Sequence, residues 1–317
     1  MKTICISHAE DADGLICAAY LRHLRNASIV LVIYDEFEDA LKKVQPPVDE
    51  VYICDLNIRE DLSEDITRIS GFADVTIVDH HPTSEEALKR LEGSGIVVVY
   101  SPLDCAAMLL YHHFREELGR EEARLAAYAA VSDQFEEGPL ASKLLESLDR
   151  QFIQHEALIL THSLHRKAET GFRSSVVEEL SKLTPPHRIE GTPEEALAYL
   201  EEVARLLEHL PKKASRMGRL AYIEAFDDAP LGAVAGLLID AMDVDVGVCY
   251  KPGESGSMNL SIRGRRGLDV HLGVISKRLA ENYNGFGGGH RRASGASIPK
   301  DSYMEFIKDI ENALESN

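Results

Sequence analysis

The chain contains few cysteines, and their arrangement excludes two kinds of structure. Five occur among 317 residues, and no two form a CxxC pair: Cys5, Cys17, Cys54, Cys105 and Cys249. Their odd number and wide spacing argue against a disulfide framework and against a thiolate zinc site. Cys5 and Cys54 lie in apolar runs, where a free thiol behaves as a small hydrophobic group. The pattern indicates free thiols in a reducing compartment.

A long hydrophobic segment is also missing. No stretch approaches the roughly 18 uninterrupted apolar residues that a membrane span needs. Glu10 and Asp11 interrupt the N-terminus before a signal-peptide core could form. We therefore expect a cytoplasmic protein with no membrane partner. The content of 44% apolar and 27% charged residues is that of a globular protein, and the length suits two domains.

An excess of positive charge is absent. The 34 Lys and Arg residues face 53 Asp and Glu residues, which gives a formal net charge of −19 at pH 7. Proteins that bind long duplex nucleic acid usually present a basic surface, because neutralising phosphates supplies most of the affinity. The acidic balance favours a short or small phosphorylated substrate over long duplex DNA.

The apolar pattern predicts an α/β fold. Short apolar runs predict strands at residues 3–7, 29–34, 50–54, 75–78 and 95–100, and helical patterns lie at 13–24, 62–71 and 84–91. Continuous apolar strands interleaved with helices are typical of a parallel sheet with helices on both faces. Such sheets bind their ligands beyond the carboxyl ends of the strands.

The remaining sequence predicts a helical connector and a second α/β domain. Thr192 is predicted to cap a helix, and residues 210–213 are predicted to interrupt one. Strands and helices alternate again after Gly218. The predicted domains are residues 1–185, a helical connector at 186–215, and a smaller α/β domain at 216–317. We expect the active site in the cleft between the two α/β domains.

Acidic and histidine side chains recur where the predicted strands end. They lie in segments 7–14, 54–57 and 78–82, and in the later segment 131–134. A lone Asp after a strand is usually a turn or helix cap, but three strands of one sheet would bring these groups together. Buried carboxylates are costly unless paired or bound to a cation. Carboxylate and imidazole ligands suit Mn²⁺ or Mg²⁺, with zinc, iron and cobalt as alternatives.

These motifs resemble those of the DHH phosphoesterase superfamily, which is named after the triplet seen here as Asp79-His80-His81. The segment HxxDxDG begins at His8, and the C-terminal half contains LSIRG at 260–264, GGGH at 287–290 and ASG at 293–295. That half resembles the DHH-associated C-terminal domain. The resemblance covers nearly the whole chain and extends to nanoRNA-degrading and RecJ-like phosphodiesterases. It is specific for the superfamily and weakly specific for the substrate.

The resemblance implies two divalent metal ions, with Mn²⁺ favoured, and a bridging Asp55. The implied ligands of the two ions are His8, Asp11 and Asp55 for one, and Asp13, Asp55, His80 and Asp133 for the other. Two such ions about 3.5–4 Å apart can activate a water and clamp both oxygens of an in-line displacement. Gly14 is predicted to let the chain turn tightly into the first helix.

The resemblance also implies residues that act on the substrate. His81 would hydrogen-bond a phosphate oxygen or assist proton transfer. Asp79 would orient the triplet, although capping of the next turn is nearly as good an interpretation. A cradle for the substrate's phosphate or terminal nucleotide would comprise Arg263, Gly287, Gly288, Gly289 and His290.

Two further features lie beside this cradle in the sequence. Four arginines offer a local basic patch: Arg265, Arg266, Arg291 and Arg292. Phe286 interrupts the usual run of glycines, and we predict that it fills the core and does not stack on a base.

The leading hypothesis is a metal-dependent phosphodiesterase that acts on short oligonucleotides or small nucleotides, such as nanoRNA, pAp or linear and cyclic dinucleotides. Alternatives are a pyrophosphatase or polyphosphatase, a non-catalytic nucleotide-binding protein, and a long-DNA exonuclease. The GGGH domain disfavours a pyrophosphatase or polyphosphatase. The intact ligand set disfavours a non-catalytic binding protein, and the acidic balance disfavours a long-DNA exonuclease. A homodimer is compatible with the sequence, which does not fix the oligomeric state.

Overall fold

The computed structural model describes residues 1–58, 62–226, 230–253 and 256–315. The chain divides into two compact units, Met1–Leu200 and Glu201–Asn317. Both units combine helices with a sheet, which confirms the predicted α/β class. Across the described ranges, no helix is at once long and apolar enough to cross a bilayer.

The first unit is built on a five-stranded parallel sheet. Its strands are β1 (Thr3–His8), β2 (Ser28–Val32), β3 (Glu50–Cys54), β4 (Asp74–Asp79) and β5 (Val97–Tyr100). The helices that connect them are α1 (Ala12–Arg25), α2 (Tyr34–Lys43), α3 (Ser63–Ser70) and α4 (Glu85–Gly93). The strand order is β2-β1-β3-β4-β5, with every neighbouring pair parallel. The sequence prediction of a parallel sheet is confirmed.

The strand order creates a crevice at one point on the edge of the sheet. From β1 the chain crosses to β2 on one side, and β3 then lies on the other side of β1. In sheets of this order, ligands bind at this reversal, outside the carboxyl ends of the two strands. Ser7 in β1 pairs in register with Cys54 in β3. The residues that follow these two positions therefore open into the same crevice.

The two faces of the sheet belong to separate hydrophobic cores. Cys5, Cys54 and Val78 lie in one core together with α1, whereas Ile6 and Ile53 lie in the other with α2 and α3. Because successive residues of a strand point to opposite faces, strands buried on both sides read as continuous apolar runs. All five cysteines are buried free thiols, as the sequence indicates.

A helical layer completes the first unit on the α1 side of the sheet. It comprises α5 (Ala106–His113), α6 (Arg120–Ser132), α7 (Pro139–Leu145), α8 (Arg150–Arg166), α9 (Thr170–Ser181) and a 3-10 turn at Pro186–Arg188. Apolar residues from these helices belong to the same core as α1. The layer brings the end of α6 towards the carboxyl edge of the sheet.

The second unit contains a six-stranded mixed sheet. Its strands are β6 (Ser215–Met217), β7 (Leu220–Glu224), β8 (Val246–Pro252), β9 (Ser257–Gly264), β10 (Phe286–Gly289) and β11 (Ala293–Pro299), in the order β10-β11-β9-β8-β7-β6. Only β7 and β8 are parallel among the described pairs. Helix α11 (Leu231–Ala241) shares a core with one face, and α12 (Leu272–Glu281) and α13 (Tyr303–Glu315) share a core with the other.

Helix α10 (Thr192–Lys213) differs from the sequence prediction in two ways. The expected interruption at 210–213 is wrong, because the helix continues through Pro211 to Lys213. Leu210 is fully buried, and this burial offsets the missing amide of a proline in the last turn. The expected cap is also wrong, since the Thr192 hydroxyl donates to carbonyls, including that of Ile189 at 3.0 Å.

The strand expected at 29–34 is shorter than predicted. Strand β2 stops at Val32, and Tyr34 begins α2. The Glu36 side chain accepts a hydrogen bond from the Ile33 amide, and acidic residues in a first turn favour helix formation. The strand therefore ends two residues before Tyr34, the last residue of the run, and Tyr34 begins the helix.

Gly14 allows α1 to lie directly against β1. A Cβ atom at this position would lie 2.3 Å from the backbone oxygen of His8. The Ser7 hydroxyl donates to the Gly14 carbonyl at 2.7 Å. Gly14 is inside the helix and its φ is not positive, so the predicted tight turn is wrong and close approach is the reason for glycine.

We predict that Gly14→Ala lowers the free energy of unfolding by about 2 kcal/mol or more, because the added methyl overlaps backbone atoms that cannot move independently. The matched control is Gly171→Ala, in the first turn of α9, where a Cβ atom meets nothing within 4 Å. That variant should be neutral or more stable by up to about 1 kcal/mol. Denaturant titration followed by circular dichroism measures both, and equal effects would contradict the packing explanation.

Candidate metal centre

The first side chains of the centre lie where β1 leads into α1. His8 is the last residue of β1. Asp11 is the N-cap of α1, with φ of −134°, and its carboxylate accepts from the Gly14 amide at 3.0 Å. The other oxygen of Asp11 lies 3.0 Å from Nδ1 of His8. Asp11 therefore has the ordinary capping role and contacts the candidate centre as well.

Asp55 occupies the middle of the centre. It follows β3 in the left-handed backbone region, with φ of 57°, a conformation that Asp and Asn tolerate better than other side chains with a Cβ. Its Oδ2 lies 3.6 Å from Nδ1 of His8, and its Oδ1 lies 3.2 Å from Nε2 of His80. The carboxylate therefore has one oxygen directed to each half of the centre.

The second half of the centre is formed by Asp13, His80 and Asp133. Nε2 of His80 lies 3.9 Å from Oδ2 of Asp13 and 3.5 Å from Oδ2 of Asp133. His80 follows β4, and Asp133 is the C-cap of α6. Three strand ends and one helix end thus contribute side chains to one small region.

Asp13 has a second contact that the sequence did not reveal. Its two oxygens accept hydrogen bonds from the amides of Ala106 and Ala107, at 2.7 and 2.8 Å. These amides begin α5, whose own N-cap residue, Cys105, forms no side-chain capping bond. Asp13 therefore caps α5 from a distant part of the chain while it faces His80.

The distances within each half match the coordination shell of a single ion. Ligand atoms of His8, Asp11 and Asp55 lie within 4.8 Å of one another, and the same holds for Asp13, His80 and Asp133. An octahedral ion with bonds of about 2.1 Å separates neighbouring ligands by about 3.0 Å and opposite ligands by about 4.2 Å. The structure thus brings together all six side chains that the sequence predicts as metal ligands.

The centre concentrates negative charge that a cation would relieve. Burial, followed by the charges of Asp11 and Asp13, raises the pKa of Asp55 well above its usual range. Burial and the charges of Asp13 and Asp11 raise the pKa of Asp133 to about 9. Burial alone would lower the pKa of His8, but the hydrogen bond to Asp11 and the nearby carboxylate of Asp55 raise it to about 10.

Unpaired polar atoms point to the same conclusion. Among the described residues, buried side-chain atoms without a hydrogen-bond partner include Nε2 of His8, Oδ2 of Asp55 and Oδ2 of Asp133. Buried polar atoms are nearly always paired. Oxygen and imidazole donors with no thiolate fit Mn²⁺ or Mg²⁺. The residues present therefore fit divalent metal ions.

His81 has both ring nitrogens engaged. Nδ1 lies 2.8 Å from Oδ1 of Asp79, and Nε2 lies 2.9 Å from the Tyr34 hydroxyl. The contact with the buried Asp79 is the one expected of an orienting carboxylate. Burial and the charge of Asp55 raise the pKa of Tyr34, which keeps the phenol protonated.

Sequence reasoning missed Tyr34, because it was placed at the end of a strand. The ring of Tyr34 also lies 4.9 Å from that of His8. A helix signal that starts at residue 34, with acidic residues in its first turn, was available in the sequence. It would have placed the phenol at the carboxyl edge of β2, beside the centre.

In the second unit, Arg263 is a half-buried cation. Its Nη1 donates to the Ser261 hydroxyl at 3.0 Å and to the Ile262 carbonyl at 3.2 Å. Within the described ranges, no ion pair joins Arg263 to a carboxylate. Burial lowers its pKa. A partly desolvated guanidinium of this kind suits an anionic ligand.

The glycines predicted to cradle phosphate form an edge strand that packs against α12. A Cβ atom on Gly287 would lie 2.5 Å from the Ser276 carbonyl oxygen, and one on Gly273 would lie 2.0 Å from that of Gly289. Helix packing is thus a sufficient reason for Gly287, whereas a Cβ atom on Gly288 would meet open space. The His290 amide donates to the Ala293 carbonyl at 2.7 Å.

Two expectations about this region need correction. Phe286 does not fill the core, since 84% of it is exposed on the edge strand. The basic patch is partly neutralised, because Arg265 pairs with Asp243 at 2.8 Å. Arg291 donates to the Asp269 carbonyl, which orients its side chain and leaves its charge in place.

Comparison with known proteins agrees with the fold of the two units. Residues 219–316 match the family model of the DHHA1 domain. The fold is similar to that of PggH, a pGpG-specific phosphodiesterase from Vibrio cholerae, with a TM-score of 0.61, 13% identity and 99% coverage of both chains. Residues 219–316 thus belong to the DHHA1 domain family, and the likeness to PggH shows a shared fold over nearly the whole chain.

Two further proteins are similar to all or part of the chain. RecJ from Thermus thermophilus, in complex with Mn²⁺, has a TM-score of 0.65 and 16% identity, over 100% of this chain and 52% of RecJ. Uncharacterized protein MJ0831 of Methanocaldococcus jannaschii is 30% identical over 105 residues, which are 32% of this chain and 23% of that protein. This match therefore spans about a quarter of the curated relative. The two structural likenesses show a shared fold.

We predict that Asp55→Asn removes the response of the melting temperature to divalent metal. Asparagine tolerates the left-handed backbone of Asp55 and removes one of several mutually repelling charges, so the metal-free variant should melt at or above the wild-type temperature. Mn²⁺ at about 100 times its dissociation constant stabilises a protein by about 2.7 kcal/mol, and the variant should lose most of that gain.

Asp74→Asn is the matched control, because Asp74 is exposed at the amino end of β4, the opposite edge of the sheet. Differential scanning calorimetry with and without Mn²⁺ measures each variant. A full metal response in Asp55→Asn would show that the ions bind elsewhere.

Proposed function

We propose that the chain is a metal-dependent phosphodiesterase that hydrolyses short oligonucleotides or small nucleotides. The observation that carries the proposal is the position of Asp55, whose two oxygens face two separate groups of ligand atoms. A single structural ion would need only one such group of ligand atoms. Two ions that share a carboxylate are the arrangement used for in-line displacement at phosphorus.

The six side chains would hold the two ions in the two groups of ligands that the family resemblance implies. His8, Asp11 and Asp55 would bind one, and the other would be bound by Asp13, Asp55, His80 and Asp133. When bound, the ions supply Lewis-acid activation of water and offset the charge of the phosphoryl group. Mn²⁺ is the favoured metal, since the donors are oxygen and imidazole, and RecJ, a protein of similar fold, binds Mn²⁺.

His81 would act at the edge of this centre. It follows the ligand His80 directly, and its ring is held by Asp79 from within the protein. Its imidazole would contact a phosphate oxygen or assist proton transfer. Asp79 would maintain the orientation of that ring and would not contact the substrate.

The second unit would contribute to substrate binding. Arg263 would bind a substrate phosphate through its guanidinium, and the glycine strand with His290 would contact the terminal nucleotide. An exposed Phe286 adds a surface on which a base could stack, an option that the sequence analysis disfavoured.

Charge and similarity both favour a small substrate. The net charge of −19 opposes tight binding of a long duplex. PggH, whose fold is similar over its whole length, is described as specific for pGpG, a dinucleotide. The buried free thiols suit a protein of the reducing cytoplasm.

We predict that the full chain with Mn²⁺ hydrolyses at least one member of a panel of pAp, dinucleotides to pentanucleotides and cyclic dinucleotides, and that Asp55→Asn reduces this turnover to background while remaining folded. Chromatography of the released nucleotides measures the rates, and Asp74→Asn should retain wild-type turnover.

Pyrophosphate in the same panel separates the alternatives. Faster release of phosphate from pyrophosphate than from any nucleotide would favour a pyrophosphatase. Tight nucleotide binding with no turnover at saturating Mn²⁺ would favour a binding protein.

We further predict that Arg263→Lys lowers kcat/KM about tenfold or more, because a charge-assisted hydrogen bond contributes about 1.5–3 kcal/mol and lysine cannot reproduce the fork of a guanidinium. Arg265→Lys is the matched control, since Arg265 is already paired with Asp243. Initial rates over a range of substrate concentrations measure both, and equal losses would argue against a special role for Arg263.

A further inference from the structure

The hydroxyl of Tyr34 closes a chain of hydrogen bonds that begins at Asp79. Oδ1 of Asp79 lies 2.8 Å from Nδ1 of His81, and the Tyr34 hydroxyl lies 2.9 Å from Nε2 of the same ring. A carboxylate can only accept, so Nδ1 of a neutral His81 carries the proton. Nε2 then has a free lone pair, and the phenol donates to it. The contact with Asp79 sets this tautomer, and the Tyr34 hydroxyl then holds Nε2 on the other side of the ring.

The same phenol ring also contacts the opposite side of the centre. It lies 4.9 Å from the ring of His8, at an interplanar angle of 39°, and 6.1 Å from the ring of His81, edge to face. His8 is the last residue of β1, and His81 lies just beyond β4. Tyr34 therefore bridges two imidazoles that belong to different strands of the sheet.

Tyr34 is not needed to anchor its own helix. It is 39% exposed, whereas Phe37 and Leu41 of α2 are almost completely buried in the adjoining core. Those two side chains attach the helix to the sheet. Loss of the Tyr34 hydroxyl should therefore leave the fold intact, and its contacts need another explanation than stability.

The geometry also distinguishes positioning from direct contact with substrate. A phenol has one proton to donate, and that proton is directed to His81. The hydroxyl cannot donate to a phosphate oxygen at the same time. The contacts therefore fit a residue that acts through His81.

We propose that Tyr34 is a positioning residue for the phosphodiesterase reaction: its hydroxyl holds Nε2 of His81 and thereby fixes the orientation of that ring, and its ring restrains His8. This inference rests on the proposed function for its catalytic consequence. The contact with His81 itself is independent of any activity.

The first test is a nitrogen NMR spectrum of the histidine side chains in the full chain with Mg²⁺. The spectrum of His81→Gln identifies the His81 signals among those of the 13 histidines. In the wild type we expect a single tautomer with the proton on Nδ1. In Tyr34→Phe we expect the proton to stay on Nδ1 and the Nε2 signal to move towards that of an imidazole nitrogen that accepts no hydrogen bond. Unchanged His81 shifts in Tyr34→Phe would overturn the proposal, whether or not the protein has activity.

The second test is a double-mutant cycle on the best substrate of the panel, using Tyr34→Phe, His81→Gln and the double variant. We expect Tyr34→Phe to lower kcat about tenfold, the range expected for one lost hydrogen bond, with KM changed less than twofold. Because Tyr34 acts through His81, the double variant should lose no more than His81→Gln alone. Additive losses, or a change confined to KM, would overturn the proposal.

Tyr20→Phe is the matched control for stability. Tyr20 lies in α1 and donates to the Glu122 carbonyl at 2.6 Å, about 12 Å along the helix from Ala12. It also loses one hydroxyl from the first unit, and its kcat should stay at the wild-type value. If no substrate of the panel is turned over by the wild type, the proposed function fails, and the NMR comparison still decides the Tyr34 contact.

Discussion

Mutual repulsion among buried carboxylates is the constraint on which this structure depends. Asp13 and Asp55 are almost completely buried, and Asp11 and Asp133 lie beside them. Few sequences would place so many acids together unless a cation were to join them, because an uncompensated buried charge is among the costliest features of a protein. The fold must hold these groups close in spite of the repulsion. That requirement explains the backbone features around the centre.

Backbone features supply the restraint. The reversal of strand order places the ends of β1 and β3 at one crevice, the left-handed backbone of Asp55 turns its carboxylate into it, and glycine at position 14 lets α1 approach β1 closely. Each of these positions is fixed by main-chain geometry and not by the charges themselves. The main chain therefore holds these side chains close together.

The sequence predicted the parallel sheet and the convergence of the acidic segments for a clear physical reason. Strands buried on both faces read as apolar runs, and the residues after them must meet at one edge. The start of α2 was missed, and the continuation of α10 past Leu210 was predicted wrongly. An apolar run continued past the end of β2, and the burial of Leu210 outweighed the usual effect of Pro211.

The exposed position of Phe286 depends on which strand lies at the edge of the second sheet, and local sequence does not specify strand order. Tyr34 was missed because its role arises from contacts with His81, which is distant in the chain.

The capping of α5 by Asp13 has a consequence for the charge that the centre presents to an incoming ion. The first amides of a helix carry roughly half a positive elementary charge, and here they are bonded to both oxygens of Asp13. One of the carboxylates is thus partly neutralised by the main chain at all times. An ion bound between these side chains would therefore meet, at Asp13, a carboxylate whose charge the main chain already offsets in part.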